Sequence, residues 1–317
     1  MDLPKPLSEK LNQFCEWMRV MSYSEATIES REYSLKCFLQ WCGERGIMSI
    51  QEVTKPVLER YRRYLYYKKK SDNTPLHART QLHHLVAVRS FFKWLSKSNY
   101  ILYNPAADLE LPKEGIRLPK HVLTIEEAEQ VLNQPDLTTA VGIRDRSILE
   151  LFYSSGIRRK ELARLKLHDV DFDRGTLMVR QGKNKKDRLI PVGERALRWL
   201  DKYIWEIRPE LMVDPDDGFM FLSTLGSPLG LRYLAARVRK YVKEADIGKN
   251  GSCHLFRHTM ATLMLEGGAD IRYVQEMLGH AKLDTTQIYT QVAIGRLKEI
   301  HSRTHPGALL KAPVKPS

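Results

Sequence analysis

The stretch H-L-F-R-H at residues 254–258 carries the densest group of side chains that could do chemistry. Its two histidines are four residues apart, a spacing that places them on one face of a helix. Such a pair can bind zinc, with His280 or Cys253 as the third ligand. The zinc motif His-Glu-x-x-His, however, has a glutamate where this chain has Leu255, and Arg257 would bring a positive charge beside the metal. The residue types therefore favour phosphate binding over metal binding.

Phosphate binding explains the same residues better. Arg257 offers a planar fork of donors that matches phosphate oxygens, and His254 can add a hydrogen bond or move a proton. A phosphate site would need a second arginine, and Arg158 is the candidate. Gly156 breaks the apolar helix before it, and Arg158 begins the next helix, where backbone N–H groups favour anions. A helix–turn–helix corner with ordinary surface arginines explains residues 155–162 equally well.

The polar turn G-K-N-K-K-D-R at residues 182–188 joins two predicted strands. A lysine at the tip of such a hairpin could enter a DNA groove, or donate a proton to a departing oxygen. The candidates are Lys183, Lys185 and Lys186. A solvated basic turn is the alternative.

The last candidate is Tyr289, which ends the stretch L-G-H-A-K-L-D-T-T-Q-I-Y that begins at Leu278. A tyrosine near a helix end is usually a half-buried packing residue. As a nucleophile it has the disadvantage of a pKa near 10. Dense positive charge around a phosphate would reduce this disadvantage, because it favours the phenolate.

The charge balance of the chain indicates an acidic partner. Its 317 residues carry a net charge of +13 and a sequence pI of about 9.5. Residues 1–117 contribute 19 Lys+Arg against 13 Asp+Glu, a net of +6, and the remainder contributes +7. Positive charge in both halves suits a protein that surrounds a duplex, because each half must then face phosphates.

A membrane surface is a second acidic partner, but other features of the sequence argue against it. No run approaches the ~20 apolar residues of a spanning helix. Residues 1–10 contain no apolar segment typical of a signal peptide. The cysteines form no C-x-x-C pair, and they are expected to be reduced thiols in a cytoplasmic protein: Cys15, Cys37, Cys42 and Cys253.

Helical periodicity covers the N-terminal part of the chain. Apolar residues recur at three- and four-residue spacing from Leu11 to Met18. A helix at about 55–69 is predicted to begin after Thr54 as its N-cap, and another covers about 78–96. We therefore expect a compact domain of four or five helices over residues 1–112.

The periodicity stops between residues 104 and 119, where Pro105, Pro112 and Pro119 punctuate a charged stretch. This pattern predicts a linker at 113–119. Thr124, followed three residues later by Glu127, predicts a capping box that opens a new helix. A second domain is accordingly expected over residues 120–305, followed by a flexible C-terminal tail at 306–317.

The second domain mixes element types. Two short strands are predicted at 176–180 and 188–192. Helices are predicted at about 143–154, 159–166, 194–207, 230–245, 257–266, 271–278 and 285–290. The expected fold class is therefore mainly α with a small β-hairpin.

The motifs G-I-R-x-x-E-L, G-K-x-x-K-D-R, H-x-x-R-H, L-G-H and T-T-x-x-Y occur in this order within residues 120–305, with His280 nine residues before Tyr289. Together they resemble the motifs of the tyrosine site-specific recombinases, in the Xer-like or mobile-element branch, and of related phage-type integrases. The resemblance implies a mixed α/β catalytic domain. By helical pattern and length, the first half resembles the family's SAM-like core DNA-binding domain.

The resemblance also implies a role for each matching position. Tyr289 would be the nucleophile that forms a 3′-phosphotyrosine, and two arginines would clamp the phosphate. Lys183 would be the general acid, with Lys185 and Lys186 near enough to compete for that role. Glu161 would support Arg158 or a neighbouring helix. The implied catalytic set is Arg158, Lys183, His254, Arg257, His280 and Tyr289.

The same resemblance implies no metal and no cofactor. The substrate would be double-stranded DNA recombination sites, on two of which four subunits assemble, either as a homo-tetramer or together with a second recombinase. The segment at about 294–301 would pack onto a neighbouring subunit.

Two other functions compete with recombination. A type IB topoisomerase uses a similar site to relax supercoils, although the two-domain layout here favours recombination. A DNA-binding regulator would never cut DNA and would have no need of Tyr289. Chromosome-dimer resolution, transposition, prophage integration and plasmid resolution all use this catalytic domain, and the motifs do not choose between them.

Overall fold

The computed structural model of the protein describes residues 5–113, 121–180 and 187–279. The chain divides into two compact units, Met1–Gly115 and Ile116–Ser317, here called the N-terminal and C-terminal units. Residues 114–119 of the expected linker, the expected helix at 285–290 and the expected tail at 306–317 lie outside the described residues.

The described part of the N-terminal unit contains four α-helices and a 3-10 turn at Ile50–Glu52. The Ser24 side chain accepts a hydrogen bond from the Thr27 backbone N–H at 3.3 Å and caps the second helix. Thr54 occupies the predicted N-cap position of the third helix, but its side chain makes no capping hydrogen bond. The helices are α1 (Lys5–Val20), α2 (Glu25–Gly43), α3 (Lys55–Tyr67) and α4 (Ala78–Lys97).

Aromatic side chains hold these helices together. Phe14 of α1 packs edge-on against Phe91 of α4, with ring centroids 5.3 Å apart. Phe38 of α2 makes the same kind of contact with Tyr61 of α3 at 4.8 Å. All four rings are buried, and such pairs stabilise a core beyond their buried area. The four helices therefore share one aromatic core.

The C-terminal unit combines helices with an antiparallel sheet of strand order β1-β2-β3. Leu177 pairs with Ile190 across β2 and β3, and both side chains are buried against the helices. The strands are β1 (Val170–Asp171), β2 (Thr176–Val179) and β3 (Arg188–Pro191). The helices are α5 (Ile125–Leu132), α6 (Ala140–Ser155), α7 (Arg159–Leu162), α8 (Glu194–Lys202), α9 (Arg208–Leu211), α10 (Leu231–Glu244), α11 (Cys253–Glu266) and α12 (Ile271–Leu278).

The mainly helical fold class with a small β-element is confirmed, and so is the capping box of Thr124 and Glu127. Several details differ from the prediction. A third strand, β1, pairs with β2. The sequence did not predict it, because its two residues are too few to give a periodic signal. The helix predicted at 159–166 ends at Leu162, and the one predicted at 194–207 changes to a π-helical turn at Tyr203–Ile207.

Helix α6 is buried along most of its length, and its charged residues are paired within the core. Arg146 donates to Glu150 at 2.9 Å and to the Leu132 carbonyl of α5 at 2.6 Å. Arg195 of α8 donates to the other oxygen of Glu150 at 2.9 Å. Removing one partner of such a group would leave a buried charge uncompensated, which is strongly destabilising. These contacts fix α6 between α5 and α8.

In the part of the chain that the structure describes, no helix combines the length and apolar character needed to cross a membrane.

Candidate active site

The site is built around the end of α6. Gly156 follows that helix with a φ of +59°, in the left-handed region that glycine favours. A Cβ at this position would lie 2.2 Å from Cε of Met260 on α11 and 3.2 Å from Cδ2 of Leu278 on α12. The missing side chain therefore lets α6 end in close contact with both helices, two residues before Arg158.

Arg158 is held by Glu161, which lies on the single turn of α7. The Arg158 backbone N–H donates to Glu161 Oε2 at 2.9 Å, and Arg158 Nη1 donates to Glu161 Oε1 at 2.7 Å. The supporting role expected of Glu161 thus takes the form of two hydrogen bonds. Since α7 is only one turn long, these bonds, rather than the expected helix N-terminus, position Arg158.

Arg188, the first residue of β3, binds the same carboxylate from the other side. Its Nη1 and Nη2 donate to Glu161 Oε1 at 3.0 Å and Oε2 at 2.8 Å, a bidentate pair. Burial alone would raise the pKa of Glu161, but hydrogen bonds and charge from Arg188, with further hydrogen bonds from Arg158, lower it to about 2. Glu161 is therefore ionised throughout the physiological range.

Arg257 lies on α11 and is 3% exposed. Its Nη1 donates to the Gly156 carbonyl and its Nη2 to the Leu278 carbonyl, both at 2.6 Å. The helix begins at Cys253, four residues earlier than predicted, so Arg257 lies in its second turn. Arg257 therefore joins the end of α6 to the end of α12.

Three guanidinium groups converge on the end of α12. Arg188 Nε donates to the Met277 carbonyl at 2.9 Å, and Arg158 Nη2 donates to the Gly279 carbonyl at 3.0 Å. The bond from Arg257 to Leu278 lies between them in sequence. The last carbonyls of a helix have no partner within it and carry partial negative charge, so arginines satisfy them well.

This arrangement concentrates positive charge at the residue that precedes His280. Arg158 keeps 20% of its side chain exposed, whereas Arg257 is buried between two helix ends. Guanidinium donors held in place in this way can stabilise charge that develops on a phosphate. The structure thus brings the two arginines singled out in the sequence to one place.

His254 and His258 lie on successive turns of α11, with ring centroids 6.3 Å apart. His254 is exposed overall, but partial desolvation and then the charges of Arg257, Arg159 and Arg158 lower its pKa. Burial, then His254 and Arg257, lower the pKa of His258 to about 4. Both rings are therefore neutral near pH 7.

Lys183, Lys185, Lys186, His280 and Tyr289 lie outside the described residues. Among the residues that are described, no group of three His, Cys, Asp or Glu side chains is arranged to hold a metal ion.

Arg188 is the site residue to which sequence reasoning gave no role. It was part of the G-K-x-x-K-D-R motif, but its neighbours along the chain gave no sign of its contact with Glu161. A charged side chain at the start of a strand was the available signal, and such a side chain is usually solvated.

Comparison with known families decides what this site belongs to. The model of the phage integrase family matches residues 121–296, more than half of the chain. The chain belongs to the phage integrase family. The model of that family's N-terminal SAM-like domain matches residues 11–101. The first match confirms the resemblance that the motifs indicated, and the second confirms the one that helical pattern and length indicated for the N-terminal part.

Relatives of this phage integrase family member are named as Xer recombinases. It is 46% identical to tyrosine recombinase XerC 2 of Ralstonia nicotianae over 97% of this chain and 88% of that protein. It is 36% identical to tyrosine recombinase XerC of Pelobacter propionicus over 98% of this chain and 99% of that protein. The chain is therefore an Xer-like tyrosine recombinase, an enzyme of site-specific recombination.

Solved structures of recombinases share the fold of this family member. The crystal structure of XerA recombinase has a TM-score of 0.53 and 29% identity, covering 94% of this chain and 99% of that one. XerH bound to a palindromic difH substrate, after cleavage, has a TM-score of 0.72 at 24% identity, covering 92% of this chain and 83% of that one.

Proposed function

We propose that Tyr289 attacks a scissile phosphate in DNA, leaving a 3′-phosphotyrosine and a free 5′ hydroxyl. One phosphodiester replaces another of similar energy, so the bond is conserved for rejoining to a different strand. The reaction needs no metal and no nucleotide. The catalytic set is Arg158, Lys183, His254, Arg257, His280 and Tyr289.

One observation carries this assignment: Arg158 and Arg257 meet at Leu278 and Gly279. His280 is the next residue, and Tyr289 follows nine positions later. In the transition state, charge builds on the non-bridging phosphate oxygens, and the two arginines stabilise it electrostatically. Lys183 protonates the departing 5′ oxygen.

The two histidines assist with protons and hydrogen bonds. The lowered pKa of His254 leaves its ring neutral near pH 7, so one nitrogen can accept a proton while the other donates a hydrogen bond. Neutral His254 is therefore suited to assisting proton movement at Tyr289 or at the phosphate. His280 completes the set by hydrogen bonding in the transition state.

DNA binding outside the site is proposed for α3 and α4. Helix α4 contains no Asp or Glu, and its exposed side includes Arg79, Arg89, Lys93 and Lys97. Lys68, Lys69 and Lys70 are exposed just after α3. The stretch Y-R-R-Y at residues 61–64 with the lysines at 68–70 is a basic cluster that could bind phosphates, but Tyr61 itself is buried in the core and cannot contact one. The basic surface supports backbone contacts with a duplex.

We further propose that double-stranded recombination sites are the substrate and that four subunits act on two of them, alone or with a second recombinase. Residues 294–301 would then pack onto a neighbouring subunit. A chain truncated at residue 292 should lose recombination while it still binds a single site. Full recombination by that truncated chain would contradict the role of the segment. The cytoplasmic location expected from the sequence, like a role in a mobile element, stays a prediction.

Covalent capture in EDTA tests the proposed chemistry. The protein and its Tyr289→Phe variant are mixed with fragmented genomic DNA of the source organism, denatured with detergent, and the protein-linked DNA is sequenced. We expect adducts from the unmodified protein alone, at a discrete site with inverted repeats. Adducts scattered over unrelated sequences would indicate a topoisomerase. Sequence-specific binding without an adduct would indicate a regulator.

A further inference from the structure

We propose that Arg188 is a positioning residue that neutralises Glu161, so that Arg158 keeps its positive charge for the scissile phosphate. This inference rests on the proposed role of Arg158 in the phosphate clamp. Arg188 itself does not touch the phosphate, and it acts through the carboxylate that it shares with Arg158.

The geometry makes Arg188 the main partner of this carboxylate. It donates to both oxygens of Glu161, whereas the Arg158 side chain donates to Oε1 alone. The Glu161 side chain is 6% exposed and that of Arg188 is 12% exposed, so solvent screens their interaction little. Arg158, at 20%, is the most exposed of the three.

The charge balance explains why two arginines are needed. A buried carboxylate paired with Arg158 alone would position that guanidinium but would also cancel its charge. With Arg188 present, the three groups carry a net charge of +1, and the exposed member is the one available to an anion. A carboxylate freed from Arg188 would form a bidentate pair with Arg158 and hold it back from phosphate.

Arg188 also contacts the end of α12. Its Nε donates to the Met277 carbonyl at the end of α12. A Cβ on Gly279 would lie 3.0 Å from Arg188 Cδ and 3.1 Å from its Nε, so a side chain there would press the guanidinium away from its present position. Arg188 is therefore held by the end of α12 as well as by Glu161, which favours a carboxylate shared between the two arginines.

The experiment measures the rate of covalent adduct formation at saturating DNA, together with the affinity for the site. Arg188→Gln should slow adduct formation by about 10- to 100-fold and leave the affinity nearly unchanged. Arg188→Lys keeps the positive charge and should slow adduct formation much less than Arg188→Gln does. Glu161→Gln keeps a hydrogen-bond acceptor for Arg158 but removes the negative charge.

The decisive comparison is the cost of Arg188→Gln in two backgrounds. If Arg188 acts by neutralising Glu161, its loss in the Glu161→Gln background should change the rate by less than about threefold. The same comparison can be made with a methylphosphonate at the scissile position, which lacks the negative charge of the phosphate. On that substrate, Arg188→Gln should slow adduct formation much less, because there is less charge for Arg158 to stabilise. An equal cost in both backgrounds and on both substrates would overturn the proposal, because Arg188 would then be only a structural hydrogen-bond donor.

Two controls separate the possible failures. Thermal unfolding of each variant shows whether it folds. The methylphosphonate test compares, for each protein, its rates on the two substrates, and a loss of folded protein lowers both rates equally and cancels in that ratio. Arg158→Ala tests the proposed function itself. If Arg158→Ala forms adducts normally, the clamp assignment is wrong. If it fails while Arg188→Gln reacts at the unmodified rate, only the present inference is wrong.

Discussion

Arg158 and Arg257 donate hydrogen bonds to adjacent carbonyl oxygens, that of Gly279 at 3.0 Å and that of Leu278 at 2.6 Å. One arginine precedes α7 and the other lies on α11, so the end of α12 is what aligns them. The chain continues from there toward His280 and Tyr289. Any change that moves the end of α12 should therefore disturb both arginines together.

Replacement of Arg257 should affect cleavage far more than binding. Arg257→Ala removes one preorganised donor from the proposed phosphate clamp, which typically costs a factor of about 10²–10³ in rate. Arg257→Lys should also be impaired, because a single ammonium cannot span the Gly156 and Leu278 carbonyls. Adduct formation and site affinity are measured for both, with exposed Arg198→Ala as the control. Equal losses of cleavage and affinity would contradict the assignment.

Gly156→Ala should destabilise the C-terminal unit more than Gly248→Ala. Both glycines have positive φ, +59° and +65°, so each alanine carries the left-handed strain of roughly 1–2 kcal/mol. Only at Gly156 would the new Cβ also strike a neighbour, Met260 Cε at 2.2 Å, which adds overpacking of about 1–3 kcal/mol. Urea unfolding measures how much each variant lowers the free energy of unfolding of the protein. Equal stabilities would show that Met260 moves aside freely.

Acid should destabilise the C-terminal unit through His258. The folded-state pKa of about 4 lies below the ordinary 6.5, so the unfolded chain binds a proton first as the pH falls. Stability from this residue is therefore complete above pH 6.5 and decreases toward pH 4, by at most about 3 kcal/mol. Chemical unfolding at pH 7 and pH 4 measures the difference, which should be smaller in His258→Gln. Exposed His168→Gln is the control, and an unchanged pH dependence in His258→Gln would contradict the prediction.

A substrate that needs no general acid should show which of the three lysines in the 182–188 turn donates the proton. If Lys183 is the general acid, Lys183→Ala should cleave slowly on ordinary DNA, because the 5′ oxygen departs without its proton. A 5′-bridging sulfur leaves without protonation, so a phosphorothiolate substrate should restore the rate of this variant. Lys185→Ala and Lys186→Ala serve as matched controls on both substrates. Restoration of Lys185→Ala or Lys186→Ala instead would move the role to that lysine.

The sequence by itself determined the features that depend on neighbours along the chain. The Thr124–Glu127 capping box, helix α4 within one residue of its predicted bounds, and α12 were all readable from local pattern. The order and spacing of the motifs also placed the chain among the tyrosine recombinases, because phosphate chemistry restricts which residue types can occupy those positions.

Only the tertiary structure decided how these residues act on one another. The contact of Arg188 with Glu161 and the pairing of β1 with β2 join residues whose separation in sequence carries no periodic signal. The partial burial of His258, which lowers its pKa, likewise depends on elements packed around α11. The end of α7 at Leu162 likewise differs from the local pattern. A side chain's charge is fixed by its type, but the charge that it presents to a ligand depends on the partners that folding brings to it. For that reason the sequence identified Arg158, and the fold supplied the second arginine that shares its carboxylate.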